Sequence, residues 1–369
     1  MTATSWPTTF PWMPTPADAQ KFWTDLGDKV ANLPKAMEVA RRVRVGATST
    51  ETIHRIDKLR LLRYVSPAPA RFDTPLVFVF ALINRPYILD LRPGKSVVSH
   101  FVNHGFETYN VDWGEPTDGD RFLDMEDYVE RYLDQAVDVV RERTGQDKIS
   151  ILGYCMGGSM SAMYTALHPE KVKNLILLAA PVDWSRKDHL LAKWTDASVF
   201  DVDKLIQVYG NAPAELLQGS FQMLKPVSNL VEKYFNFYEN MGDEKFLEDF
   251  FAMETWLNDN IPVAGEMFRQ FVKYCMQQNK LINGELRIGA KLVDLKRIVC
   301  PVLNLTAAQD HLVPPEQSLP FNDAVGSQDR TSINFPAGHI GLAVGSRANR
   351  ELWPKACEWL AKRSDPTGG

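Results

Sequence analysis

The sequence predicts an α/β fold: a mostly parallel sheet with helices on both faces and one inserted helical segment. Three observations predict it. Apolar runs of strand length, at residues 76–83 and 172–180, read as strands buried on both faces, as parallel strands are. Helix-patterned stretches separate the strand-like runs, which is the rhythm of βαβ units. That rhythm stops over residues 184–288, which read as mostly helical and hold 16 of the chain's 39 aromatic residues, and it resumes at Pro301.

Each element follows in order. The first ~15 residues are rich in Pro and Thr and read as irregular. From about Asp18 to Val45, Phe22, Leu26, Val30, Leu33, Met37 and Ala40 recur at helical spacing, and Pro34 is expected to divide the stretch into two amphipathic helices. Residues 1–50 are thus a helical extension. Lys58–Tyr64 reads as an edge strand, then come the buried strand at 76–83 and another at Phe106–Trp113. Asp127–Arg143 reads as a helix and Lys148–Leu152 as the strand after it. Residues 184–288 read as a cap inserted into a core formed by 51–183 and 289–369. Within that core Pro301–Thr306 and Thr331–Phe335 are the last strands, and a helix near Trp353–Arg363 closes the chain. A cap in that place lies over the carboxyl edge of the sheet, where open α/β sheets bind ligands.

Composition narrows the function classes. At 369 residues the chain can bury a large core. A formal net charge of −5 argues against nucleic acid as the main partner, and an anionic substrate would need a local basic pocket. The longest apolar run, at 76–83, is far shorter than a membrane span. Met1-Thr-Ala-Thr-Ser-Trp-Pro lacks the pattern of a signal peptide. Cys155, Cys275, Cys300 and Cys357 have neither metal-ligand spacing nor the density of a disulfide framework, so no metal and a reduced, cytoplasmic setting are expected. Cys275, Cys300 and Cys357 read as small core residues.

The chemistry is concentrated in Gly153-Tyr-Cys-Met-Gly-Gly158, which follows a strand and opens a helix. That is the setting of the nucleophile elbow of α/β-hydrolase folds, with cysteine at its centre. Small residues flank the nucleophile because strand and helix pass close together. The helix N-terminus favours a thiolate at Cys155, and the Met156 N–H, with one from the loop near Ile83, would form an oxyanion hole. The acid and the histidine should follow in that order. Asp310 comes just after one late strand and His339 just after the next. Asp112 precedes the nucleophile, and Asp183 is a lesser candidate for the acid. Arg85 reads either as a partner for an anionic group or as a structural salt bridge.

These motifs, together with Leu82-Ile-Asn-Arg-Pro-Tyr-Ile-Leu-Asp-Leu91, Asp112-Trp-Gly114, Asp310-His-Leu-Val-Pro-Pro315 and Gly338-His-Ile-Gly341, resemble the polyhydroxyalkanoate synthases from about residue 52 to 362. The short chain is similar to the class III catalytic subunit, or to class IV. The resemblance implies an acyltransferase that polymerises (R)-3-hydroxyacyl-CoA, such as 3-hydroxybutyryl-CoA, and releases CoA. CoA is then substrate and product, and no cofactor is implied. It also implies a homodimer, a second subunit of PhaE type (PhaR type if class IV), and a place on cytoplasmic polyester granules. His339 would deprotonate Cys155, and Asp310 would orient His339 or activate the attacking hydroxyl. His311 and Asn279 would contact CoA. A cysteine suits this chemistry: attack on a thioester gives another thioester, so the acyl group stays activated until a second hydroxyl takes it. The competing reading is a cysteine-dependent hydrolase of the same fold acting on an ester, lactone or polyester.

Overall fold

A computed structural model describes residues 16–368, so the Pro- and Thr-rich start of the chain lies outside the described residues. The chain forms two compact units, one from residues up to Val43 with Val227–Glu254, the other from Arg44–Pro226 with Thr255–Gly369. Division by compactness thus runs at other places than residues 50, 183 and 288.

The larger unit is built on an eight-stranded sheet: β1 (Thr50–Ile56), β2 (Leu59–Tyr64), β3 (Phe72–Val79), β4 (Phe106–Asp112), β5 (Ile149–Tyr154), β6 (Val172–Leu178), β7 (Val302–Ala307) and β8 (Arg330–Phe335). Their spatial order is β1-β2-β4-β3-β5-β6-β7-β8. β2 pairs antiparallel with β1 and β4, and every pairing from β4 to β8 is parallel. The sheet is the α/β-hydrolase arrangement the sequence predicts. The crossover from β3 to β4 runs one way and those after β4 run the other. Right-handed crossovers therefore put helix Val97–His104 on the opposite face from Asp134–Thr144 and Met156–Leu167. The closing helix, Trp353–Ala361, joins the first of these, with the Trp353 ring edge-on to Phe101 at 6.2 Å.

Three expectations are corrected. β2 is not the edge: β1 lies outside it, joined by a two-residue turn at Asp57-Lys58 in which Asp57 has φ 49°. Most of β1 is exposed or half-buried, so it carries almost no apolar signal. The buried strand predicted at 76–83 ends at Val79, and Phe80–Ile83 become the loop beside the elbow. Pro34 does not divide the N-terminal helix, which runs unbroken over Pro16–Arg42. In the smaller unit, Ala36 and Val39 are buried with Met241 and Leu247, and this packing holds the turns after Pro34 in line despite the missing N–H.

Register sets the site. Val79 stands beside Gly153, Tyr154 beside Leu178, Leu178 beside Leu305, and Ala307 beside Phe335. The carboxyl ends of β3, β5, β6, β7 and β8 therefore form one edge. The order reverses between β3 and β5, which is where a crevice opens in such sheets.

Candidate active site

Cys155 links β5 to helix Met156–Leu167 with φ 55° and ψ −127°. That left-handed, strained backbone is what lifts an elbow side chain off the sheet edge. The turn is fixed from both sides: the Cys155 N–H donates to the Leu178 carbonyl at 2.9 Å, and its own carbonyl accepts from the Gly158 N–H at 2.9 Å. The flanking glycines are required by close approach. A Cβ on Gly153 would stand 2.5 Å from Ser161 Oγ, and one on Gly158 would stand 2.5 Å from the Ala180 Cβ.

The strands β7 and β8 deliver the other two groups to the same edge. His339 opens helix His339–Val344, and its Nδ1 lies 2.7 Å from Asp310 Oδ2. The Asp310 side chain is fully buried. Its other oxygen, Oδ1, accepts the N–H groups of Leu312 at 2.9 Å and Val313 at 2.8 Å. A carboxylate so held accepts the Nδ1 proton and leaves Nε2 to face the sulfur. Burial alone would lower the imidazole pKa. The Asp310 carboxylate and the Cys155 sulfur, both hydrogen-bond partners of the ring, outweigh it and raise the pKa to about 10. The arrangement can hold a proton between thiol and imidazole, which is what an activated cysteine needs.

Tyr154 is a residue the sequence reading passed over. Its hydroxyl donates to the His339 carbonyl at 3.0 Å, and its ring stacks on the imidazole with centroids 5.0 Å apart. It fixes the histidine, and its place next to Cys155 in the elbow is the one signal that could have found it.

Cys155, Met156 and Ile83 share the wall of one cavity of about 350 Å³. Met156 supplies the first amide of its helix, which by position has no intrahelical acceptor. The inserted segment supplies most of the remaining wall, including six aromatic rings: Trp184, Trp194, Phe200, Phe221, Phe268 and Phe271.

The other candidates stand elsewhere. Arg85 does not line this cavity: it is bound by Asp259 at 3.1 Å and Glu115 at 2.8 Å, so it braces the loop as a salt bridge. Asn279 has φ 52° after the helical turns at Phe271–Gln277. Its Oδ1 accepts from the Trp184 N–H and its Nδ2 donates to Asp183, both at 2.8 Å, so its amide is used in pinning the start of the insertion. Asp183 is turned to that bond and to the Ser185 N–H, away from the role of third member. His311 is exposed on a separate, more polar cavity of about 410 Å³ that also takes in Asp310 and His189. Cys275 and Cys357 are buried, as expected, while Cys300 is half-buried.

Comparison with known proteins bears on the family and the fold. Two family models match: alpha/beta hydrolase fold over residues 84–346, and poly-beta-hydroxybutyrate polymerase (PhaC) N-terminus over residues 19–101. The second carries the resemblance back from residue 52 to residue 19. The poly(3-hydroxyalkanoate) polymerase subunit PhaC of Haloferax mediterranei is 46% identical over 341 residues, 92% of this chain and 69% of that one. The subunit of the same name from Allochromatium vinosum is 41% identical over 340 residues, 92% of this chain and 94% of that one. Among solved structures, a soluble variant of monoglyceride lipase from Saccharomyces cerevisiae matches with a TM-score of 0.57 at 12% identity, covering 88% of this chain and 98% of that one. At that identity it bears on the fold alone. Matched along nearly its whole length by relatives that carry one name, the chain belongs to the poly(3-hydroxyalkanoate) polymerases, among their PhaC subunits.

Proposed function

We propose that this chain polymerises (R)-3-hydroxyacyl groups, 3-hydroxybutyryl among them, from their CoA thioesters through an acyl thioester on Cys155. The observation that carries the proposal is the Asp310–His339 bond at 2.7 Å on the sheet edge that also bears the Cys155 elbow. In the cycle, the Cys155 thiolate attacks the thioester carbonyl while His339 is protonated. The carbon–sulfur bond to CoA breaks, and the departing thiolate takes the proton from His339. The hydroxyl of a second hydroxyacyl-CoA then attacks the Cys155 thioester and gives its proton to His339. An ester forms, the Cys155 thiolate returns, and the lengthened acyl-CoA reloads the same sulfur. Protons and bonds balance with these groups alone, so no cofactor is called for beyond the CoA thioester. The N–H of Met156, with one from the loop at Ile83, stabilises the oxyanion in both halves.

Asp310 acts as the positioning residue for His339. The burial of its side chain and the engagement of both its oxygens favour this over activation of the substrate hydroxyl. His311 is the remaining candidate for a contact to CoA; the bonds that occupy Arg85 and Asn279 favour bracing roles for those two. A homodimer, a second subunit of PhaE or PhaR type, and a place on the surface of cytoplasmic polyester granules complete the reading. Among the described residues, no helix is long and apolar enough to cross a membrane.

The test is CoA release from 3-hydroxybutyryl-CoA with Cys155→Ala alongside, the product assayed for insoluble polyester. Release with polymer, absent in the variant, is the expected result. Release with soluble hydroxy acid and no polymer would replace the synthase reading with a hydrolase.

A further inference from the structure

The cavity beside Cys155 has a chemical character that one step of the cycle needs and another forbids. No charged side chain lines it. The only hydroxyls in its wall are those of Thr195 and Ser220, and each donates within its own helix, to the Leu191 and Leu216 carbonyls, both at 2.8 Å. The one side-chain donor of the wall found without a partner is the buried Trp184 Nε1. A single indole N–H cannot hold the phosphates and amides of CoA, whose desolvation would go uncompensated. It suits an aliphatic ester chain. Its volume of about 350 Å³ falls in the range that holds drug-sized ligands, more than a single hydroxybutyryl group fills.

Cys155 and Leu216 line the same cavity. Leu216 is also 43% exposed, so the wall approaches the surface there. Leu216, Leu217, Ser220 and Phe221 are two i, i+4 pairs on one face of helix Ala214–Met223, and this face forms the wall near the mouth.

Resting on the polymerase reading above, we propose that this cavity carries the growing polyester from Cys155 to the surface past Leu216. The width of the route at Leu216 and Ser220 then governs product length rather than acyl loading. CoA reaches the sulfur from outside this apolar space.

Two variants test it. Leu216→Trp narrows the mouth at an exposed position that tolerates substitution. Ser220→Leu fills the wall one helical turn further along. Product molar mass and CoA release from 3-hydroxybutyryl-CoA are measured together on the full chain, with any second subunit present. Both variants are expected to lower product molar mass about tenfold, while CoA release falls by less than about threefold: a blocked route leaves short chains on Cys155 for water to take off as free acids, and each freed sulfur is loaded again with release of CoA. Unchanged molar mass in both variants would overturn the proposal, because the chain then leaves by another route. A loss of CoA release as large as the loss of chain length would also overturn it, by making the cavity a loading site. Wild-type enzyme that releases CoA without any polymer would instead remove the polymerase reading on which the proposal rests.

Discussion

Cys155 holds a φ of 55° that only glycine adopts without strain. Such strain costs on the order of 1–3 kcal/mol, whereas the extra unfolded-chain freedom of a glycine costs about 0.4–1 kcal/mol. Relief of strain is the larger effect, so Cys155→Gly should unfold at a higher urea concentration than Cys155→Ala, with both variants inactive. A midpoint for the glycine variant at or below that of the alanine variant would contradict the strain reading. His339 gives a second expectation. Its folded pKa of about 10 lies above the ordinary 6.5, so the folded chain binds the proton more tightly than the unfolded one. The stability this gives is complete below about pH 6.5 and is lost as pH rises toward 10. Asp310→Asn should flatten that alkaline decline in unfolding midpoint and lower kcat by about 10²–10⁴. An unaltered pH profile in the variant would mean that the pair is not coupled as its geometry requires.

Among the elements, the elbow depends on β3 and β5 lying side by side. A methyl group at Gly157 would press on the backbone carbonyls of Val79 and Phe80, which no rotamer change can relieve. Gly157→Ala is therefore expected to destabilise the chain by about 1–3 kcal/mol and to disturb the loop that carries Ile83. A thermal midpoint equal to wild type would show that the strand and helix separate more easily than this packing implies. Tyr154 belongs to the same scale: it is one residue from Cys155 in sequence, yet it bonds His339, which β8 brings to it.

The two compact units differ in how much they bury. The larger has an eight-stranded sheet at its centre. Among the described residues, the smaller has one core cluster, the buried Ala36, Val39, Met241 and Leu247, with Val43, Phe237, Phe246 and Phe251 partly buried around them. Val30, Leu33 and Met37 are exposed in the same unit, as are Val227, Leu230, Val231, Tyr234 and Phe235. Local stability follows buried apolar contact. Amide hydrogens of the N-terminal helix and of residues 227–254 should exchange well before those of β5 and β6. Equal protection in both units would show that they open together.

The parallel sheet, the Cys155 elbow and the order of Asp310 and His339 were legible because each rests on local signals: apolar runs of strand length, glycines at fixed offsets, and polar residues just past strand ends. β1 was not legible, because its exposed positions leave no apolar alternation to detect. The unbroken helix through Pro34 was not legible either, since distant packing onto Met241 and Leu247 overrides the local cost of proline. The same holds for Arg85 and Asn279, whose partners lie 174 and 96 residues away in sequence. Sequence by itself singled out the residues proposed for the chemistry, since those are written in residue type and order. Only the tertiary structure decided which side chains are already engaged and that the wall beside Cys155 is mostly apolar and carries no charge. Engagement and burial are properties of contacts between distant segments, and local pattern does not encode them.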